Sequence, residues 1–136
     1  MTRRWMILAV STIALASLIA VEPAHAHHAV TPFYDLTKTV EFDGIVTRWV
    51  FKNPHSFVTI QAPDDKGTMQ RWSLEWSGTG QLTGAGVTRE SLKAGDELEV
   101  VANPSRVSGE LKALMVSLKR PLDGFAWGGR GGQVVD

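Results

Sequence analysis

Between Thr39 and Lys119 apolar and polar side chains alternate with the two-residue period of strands, not the 3.6-residue period of helices. The first stretch, Thr39 to Asn53, carries Val40, Phe42 and Val46 in one phase and then shifts to Ile45, Trp49 and Phe51, with Gly44 at the change. A glycine at a parity change inside a strand predicts a bulge or sharp bend, by which one long strand serves two sides of a small barrel. His55 to Pro63 returns, and Asp64-Asp65-Lys66-Gly67 is a polar hairpin turn. The third strand, Thr68 to Ser77, sets Trp72, Leu74 and Trp76 against Arg71, Ser73 and Glu75. Its tryptophans read as core, with a stacking platform for a sugar or base as the alternative.

Gly78 to Gly86 interrupts the pattern, and Gln81-Leu82-Thr83 fits about one helical turn; Thr88 to Leu92 is a second capped turn. Strand four, Glu97 to Ala102, turns Leu98, Val100 and Ala102 inward, and Asn103 to Gly109 reads as a loop. Strand five, Glu110 to Lys119, places Leu114, Val116 and Leu118 inward, with Leu111, Ala113 and Met115 opposite. The expected interior is therefore Val46, Val58, Ile60, Trp72, Leu74, Trp76, Leu98, Val100, Leu114, Val116 and Leu118. An all-β chain with five strands and short helical turns between the third and fourth matches a five-stranded Greek-key barrel of the OB type. A β-sandwich would show about seven strands.

The N-terminus changes the picture. Arg3 and Arg4 precede an apolar run from Trp5 to Val21, and Ala24-His25-Ala26 is an A-x-A cleavage site. Residues 1–26 therefore read as a secretory signal peptide, giving a periplasmic or secreted protein that begins at His27. Seventeen residues that include two serines and a threonine fall short of the ~20 apolar residues of a spanning helix, so no stable membrane insertion is expected after cleavage. Thr2-Arg3-Arg4 faintly resembles a twin-arginine signal. Residues 27–122 then form one domain, and 123–136, with Gly128-Gly129-Arg130-Gly131-Gly132, a flexible tail. Within the domain, Phe33, Tyr34 and Leu36 are too apolar for a free arm and are expected to cover one end of the fold.

Cleavage leaves 110 residues with twelve basic and thirteen acidic side chains, no electrostatic footprint for nucleic acid. The absence of cysteine removes disulfides, thiolate metal sites and a cysteine nucleophile. What remains is histidine chemistry. Asn53-Pro54 ends one strand and turns the chain, leaving His55 at a hairpin mouth beside a rigid corner, a placement that suits a ligand or proton carrier as well as a turn hydrogen bond. Cleavage after Ala26 gives His27 a free α-amine beside its imidazole, and the two can chelate one ion.

His27-His28, Phe33-Tyr34-Asp35, Gly44, Asn53-Pro54-His55, Trp72-Ser73-Leu74-Glu75 and Leu92-Lys93-Ala94-Gly95-Asp96 resemble an uncharacterised family of small exported bacterial proteins, a domain of unknown function. The similarity spans nearly all of the mature chain and departs at Gly78-Thr79-Gly80-Gln81, where Ser-Pro-Asn-like residues would be expected. It implies a periplasmic all-β domain and supplies no activity. The amino-terminal chelate itself resembles the histidine brace of copper monooxygenases, with His55 as third nitrogen donor and His28 as its competitor. Nitrogen-only donors favour Cu(II). His27, His28 and His55 are the candidate copper ligands, and Asp35, Tyr34, Asn53 and Glu75 the polar neighbours set to hold them. A metal-free module for a periplasmic protein or small ligand is the alternative. An enzyme with His55 and Glu75 or Asp35 as acid and base is the third reading, and no nucleophile motif, phosphate loop or carboxylate spacing supports it.

Overall fold

The structure is a computed structural model that describes residues 30, 32–128 and 134–135. Its strands are β1 (Val40–Val50), β2 (Ser56–Pro63), β3 (Met69–Trp76), β4 (Glu97–Pro104), β5 (Lys112–Lys119), β6 (Ala126–Gly128) and β7 (Val134–Val135), with helix α1 (Thr79–Gly84) between β3 and β4. The antiparallel order β3-β2-β1-β4-β5 closes on itself through a parallel β3–β5 pairing, from Ser73 opposite Lys112 to Glu75 opposite Leu114. A five-stranded mixed barrel with a helix after the third strand is the OB topology. Among the described residues no helix is long and apolar enough to cross a membrane.

β1 does serve two sides: Val40 to Ile45 pair with β4, and Ile45 to Val50 pair with β2. The bulge, however, sits at Thr47, where Val46 faces Ile60 while Arg48 faces Thr59. Gly44 does a different job. A Cβ there would overlap Ile60 and come 2.6 Å from the Gln61 carbonyl, so its bare Cα lets β2 cross close to β1.

The barrel interior holds Val46, Val58, Ile60, Leu74, Trp76, Leu98, Val100 and Leu118 as expected, and Leu82, Val87 and Leu92 join the same core from the segment between β3 and β4. Three expectations are corrected. Trp72 is only partly buried and stacks on Phe42, with centroids 4.8 Å apart. In β5 the inward set is Ala113, Met115 and Leu118, while Leu114 and Val116 are half-buried. The cause is a second bulge: Val101 faces Ser117 but Ala102 faces Met115, so Val116 is the extra residue and reverses the phase of everything before it. Strand four also runs two residues further than expected, through Asn103 and Pro104.

The segment after Pro121, read as a glycine-rich tail, includes β6, which pairs with β5 at Ser117 to Lys119. Trp127 on β6 meets Trp76 edge to face at 4.8 Å. Arg120, at the end of β5, ties this region to the barrel. Its guanidinium donates to Asp96 at 2.7 Å, to the Ser91 carbonyl at 2.8 Å and through two nitrogens to Asp123, whose carboxyl it pulls down to about 2. Asp96 is 6% exposed. Removing the guanidinium leaves its charge buried and unpaired, so Arg120→Met should cost about 3 kcal/mol in urea melts. Asp96→Asn in the same background should restore part of that loss; a cost under ~1 kcal/mol would show that Asp96 is solvated.

Candidate functional site

The Lys52–His55 corner is built as a rigid platform. The Ser56 hydroxyl, fully buried, bonds both the N–H and the carbonyl of Lys52 at 3.2 Å, and Asn53-Pro54 is a cis peptide. Asn53 Oδ1 accepts the Thr79 N–H at 2.9 Å, capping α1 from outside the helix. Gly78 makes that possible, since a Cβ there would lie 2.6 Å from the Pro54 carbonyl and 2.8 Å from Asn53 Oδ1. The glycine that departs from the expected pattern is therefore the residue on which the corner rests.

His55, half-buried, directs Nδ1 to Glu75 Oε1 at 2.5 Å. The β2–β3 register sets Phe57 opposite Glu75 and Ser56 opposite Trp76, so His55, one residue earlier, reaches Glu75 diagonally on the outer face. The other oxygen of Glu75 accepts the Tyr34 hydroxyl at 2.5 Å. Tyr34 comes from the arm, which does pack on the barrel: Tyr34 bridges Ser105, Asp35 N–H donates to the Pro104 carbonyl at 2.9 Å, and Arg106 N–H donates to the Phe33 carbonyl at 2.9 Å. Burial, then the hydrogen bond and charge of Glu75, push the Tyr34 phenol well above its ordinary pKa, with a further push from Glu110. It stays a hydroxyl donor at any physiological pH.

Tyr34, Glu75 and His55 form one wall of a cavity of about 610 Å³ between the arm and the outer face of the barrel. Val30, Phe33, Phe57 and Val107 supply apolar walls, and Glu110 and Lys112 a second polar group. Glu110 is held ionised, its carboxyl lowered by Lys112 at 2.9 Å and Ser105 at 2.8 Å.

Of the residues singled out in the sequence, His55, Glu75 and Tyr34 are brought together. Asn53 holds α1 rather than a histidine. Asp35 closes a turn in the arm, accepting the Thr37 N–H and hydroxyl at 3.1 and 2.7 Å with Lys38 at 3.3 Å, and does not line the cavity. His27 and His28 lie outside the described residues. Among the described residues no three histidine, aspartate or glutamate side chains gather as a metal site. Phe57, Val107, Glu110 and Lys112 were not anticipated. Alternation of Glu110 and Lys112 on one face was the available signal, and nothing in the spacing ties that face to His55.

A family model matches residues 14–114. The chain belongs to DUF6152, a family of unknown function. The match takes in the arm, the corner, Glu75 and the Gly78 segment of this DUF6152 member. No curated protein matches it. Among solved structures, the Saccharomyces cerevisiae mitochondrial single-stranded DNA binding protein Rim1 is similar at 12% identity and a TM-score of 0.45, over 62% of this chain and 94% of Rim1.

Proposed function

We propose that this DUF6152 protein is an exported binding module, not an enzyme, that holds Cu(II) at the His55 end of the cavity. Cleavage after Ala26 would supply the α-amine and imidazole of His27, with His28 beside it, and His55 would add a nitrogen from the barrel. The observation that carries this reading is the His55–Glu75 pair. Carboxylates that take one imidazole N–H fix the tautomer and aim the other nitrogen, the usual support behind a ligating histidine. Reach is also satisfied. Val30 lines the same cavity as His55 and is two residues from His28 and three from His27, roughly 7 to 10 Å of extended chain.

The test is a Cu(II) titration, by calorimetry, of material whose intact mass shows a start at His27. His55→Ala should weaken binding at least ~10-fold, and so should one extra residue before His27, which converts the amine to an amide. Equal affinity in all three proteins would mean that neither the His27 amine nor His55 holds the copper, which would then be adventitious.

A metal-free reading then takes its place, in which the cavity binds a small ligand. The observation in its favour is the apolar wall of Phe33, Phe57 and Val107, which a metal would leave unused.

A further inference from the structure

Phe33 is 68% exposed and Val107 59% exposed, yet both line the same cavity, together with half-buried Phe57. Large apolar side chains left in water around a concavity of this size mark a ligand surface more often than scattered exposure does.

The polar groups among them are lopsided. Glu75 and Glu110 both bring carboxylate oxygens to the lining, which serve as hydrogen-bond acceptors. The hydroxyl hydrogens nearest them are already committed, Tyr34 to Glu75 at 2.5 Å and Ser105 to Glu110 at 2.8 Å. Lys112 is the one lysine or arginine among the cavity's described lining residues, and it donates to Glu110 at 2.9 Å. The lining therefore sets two carboxylates against one lysine, and that lysine sits on Glu110, not on Glu75. Phe57 already stands near a positive charge, with Lys52 Nζ 5.5 Å from its ring centre.

We propose that the cavity binds an organic ammonium ion with an apolar body, its nitrogen at Glu75 and its hydrocarbon against Phe33, Phe57 and Val107. This rests on the metal-free reading of the cavity. The carboxylate supplies charge-assisted hydrogen bonds to the N–H groups, and the rings supply area and negative faces.

Calorimetry of the full chain, with a chelator present, compares 2-phenylethylammonium with 2-phenylethanol, which has the same body without the charge. The ammonium should bind at least ~10-fold more tightly, and Glu75→Gln, checked for folding by its melt, should bring the two within ~2-fold. Equal affinity of the two ligands for the wild-type chain overturns the cation assignment while the cavity stands as a ligand site. No binding of either at millimolar concentration overturns both. A preference for the ammonium that survives Glu75→Gln overturns the placement of its nitrogen.

Discussion

Trp76→Ala should lower stability in urea melts by about 3 to 5 kcal/mol, the range for truncating a fully buried aromatic. Trp76 is 2% exposed, and its ring meets Trp49 at 5.6 Å and Trp127 at 4.8 Å, so its removal opens a void bounded by β1 and β6 as well as by its own strand. Its indole N–H has no acceptor among the described residues, and the loss is therefore one of volume and contact. Trp76→Phe, which keeps most of the volume, should cost distinctly less. Trp72→Ala should cost only about 1 to 2 kcal/mol, because that ring is partly solvated and its main partner is Phe42. If the two alanine variants lose equal stability, the inward phase assigned to β3 is wrong.

That contrast shows where the pattern of the chain is legible. The alternation in β3 identifies the face shared by Trp72, Leu74 and Trp76, but not that Trp72 lies where the barrel is open to solvent beside Phe42. In β5, Leu114-Val116-Leu118 alternates as well as Ala113-Met115-Leu118, and the small Ala113 gives no hint that its parity is the inward one. Only the pairing with β4, which makes Val116 a bulge, decides between them. β6 is three residues long among glycines, too short for any period, and Trp127 was its only sign. The five barrel strands and the helical interlude were legible because each depends on turn chemistry and local alternation.

The site divides the same way. The turn at Asp64 to Gly67 fixes the β2–β3 register, with Pro63 opposite Met69, and counting back along both strands brings His55 beside Glu75. That much follows from the hairpin. Tyr34 does not, because it is placed by the arm's bridge to Ser105, a contact between segments with no local signal. The cavity exists only where the arm, the hairpin and the end of β4 meet, so its walls could not be listed before the closure of the barrel was known.

Glu75 is where those segments converge, and its removal has the largest effect expected at the site. Glu75→Leu deprives His55 Nδ1 and the Tyr34 hydroxyl of their shared acceptor at one stroke, and Tyr34 is 7% exposed. The buried hydroxyl left without that partner should cost about 1 to 3 kcal/mol in a urea melt. Copper affinity should fall about 10- to 100-fold, the usual effect of losing the carboxylate behind a metal-binding histidine. Tyr34→Phe separates the two consequences. It removes the hydroxyl from Glu75 without touching the Glu75–His55 contact, so it should lose stability of about 1 kcal/mol while keeping copper affinity within a few-fold of the wild type. Glu75→Leu that binds copper as tightly as the wild type would mean that His55 is not aimed by this carboxylate, and the metal would then belong to the N-terminal segment alone. If Tyr34→Phe instead weakens copper as much as Glu75→Leu, the hydroxyl is what holds the carboxylate in register with the imidazole, and the arm itself becomes part of the binding site.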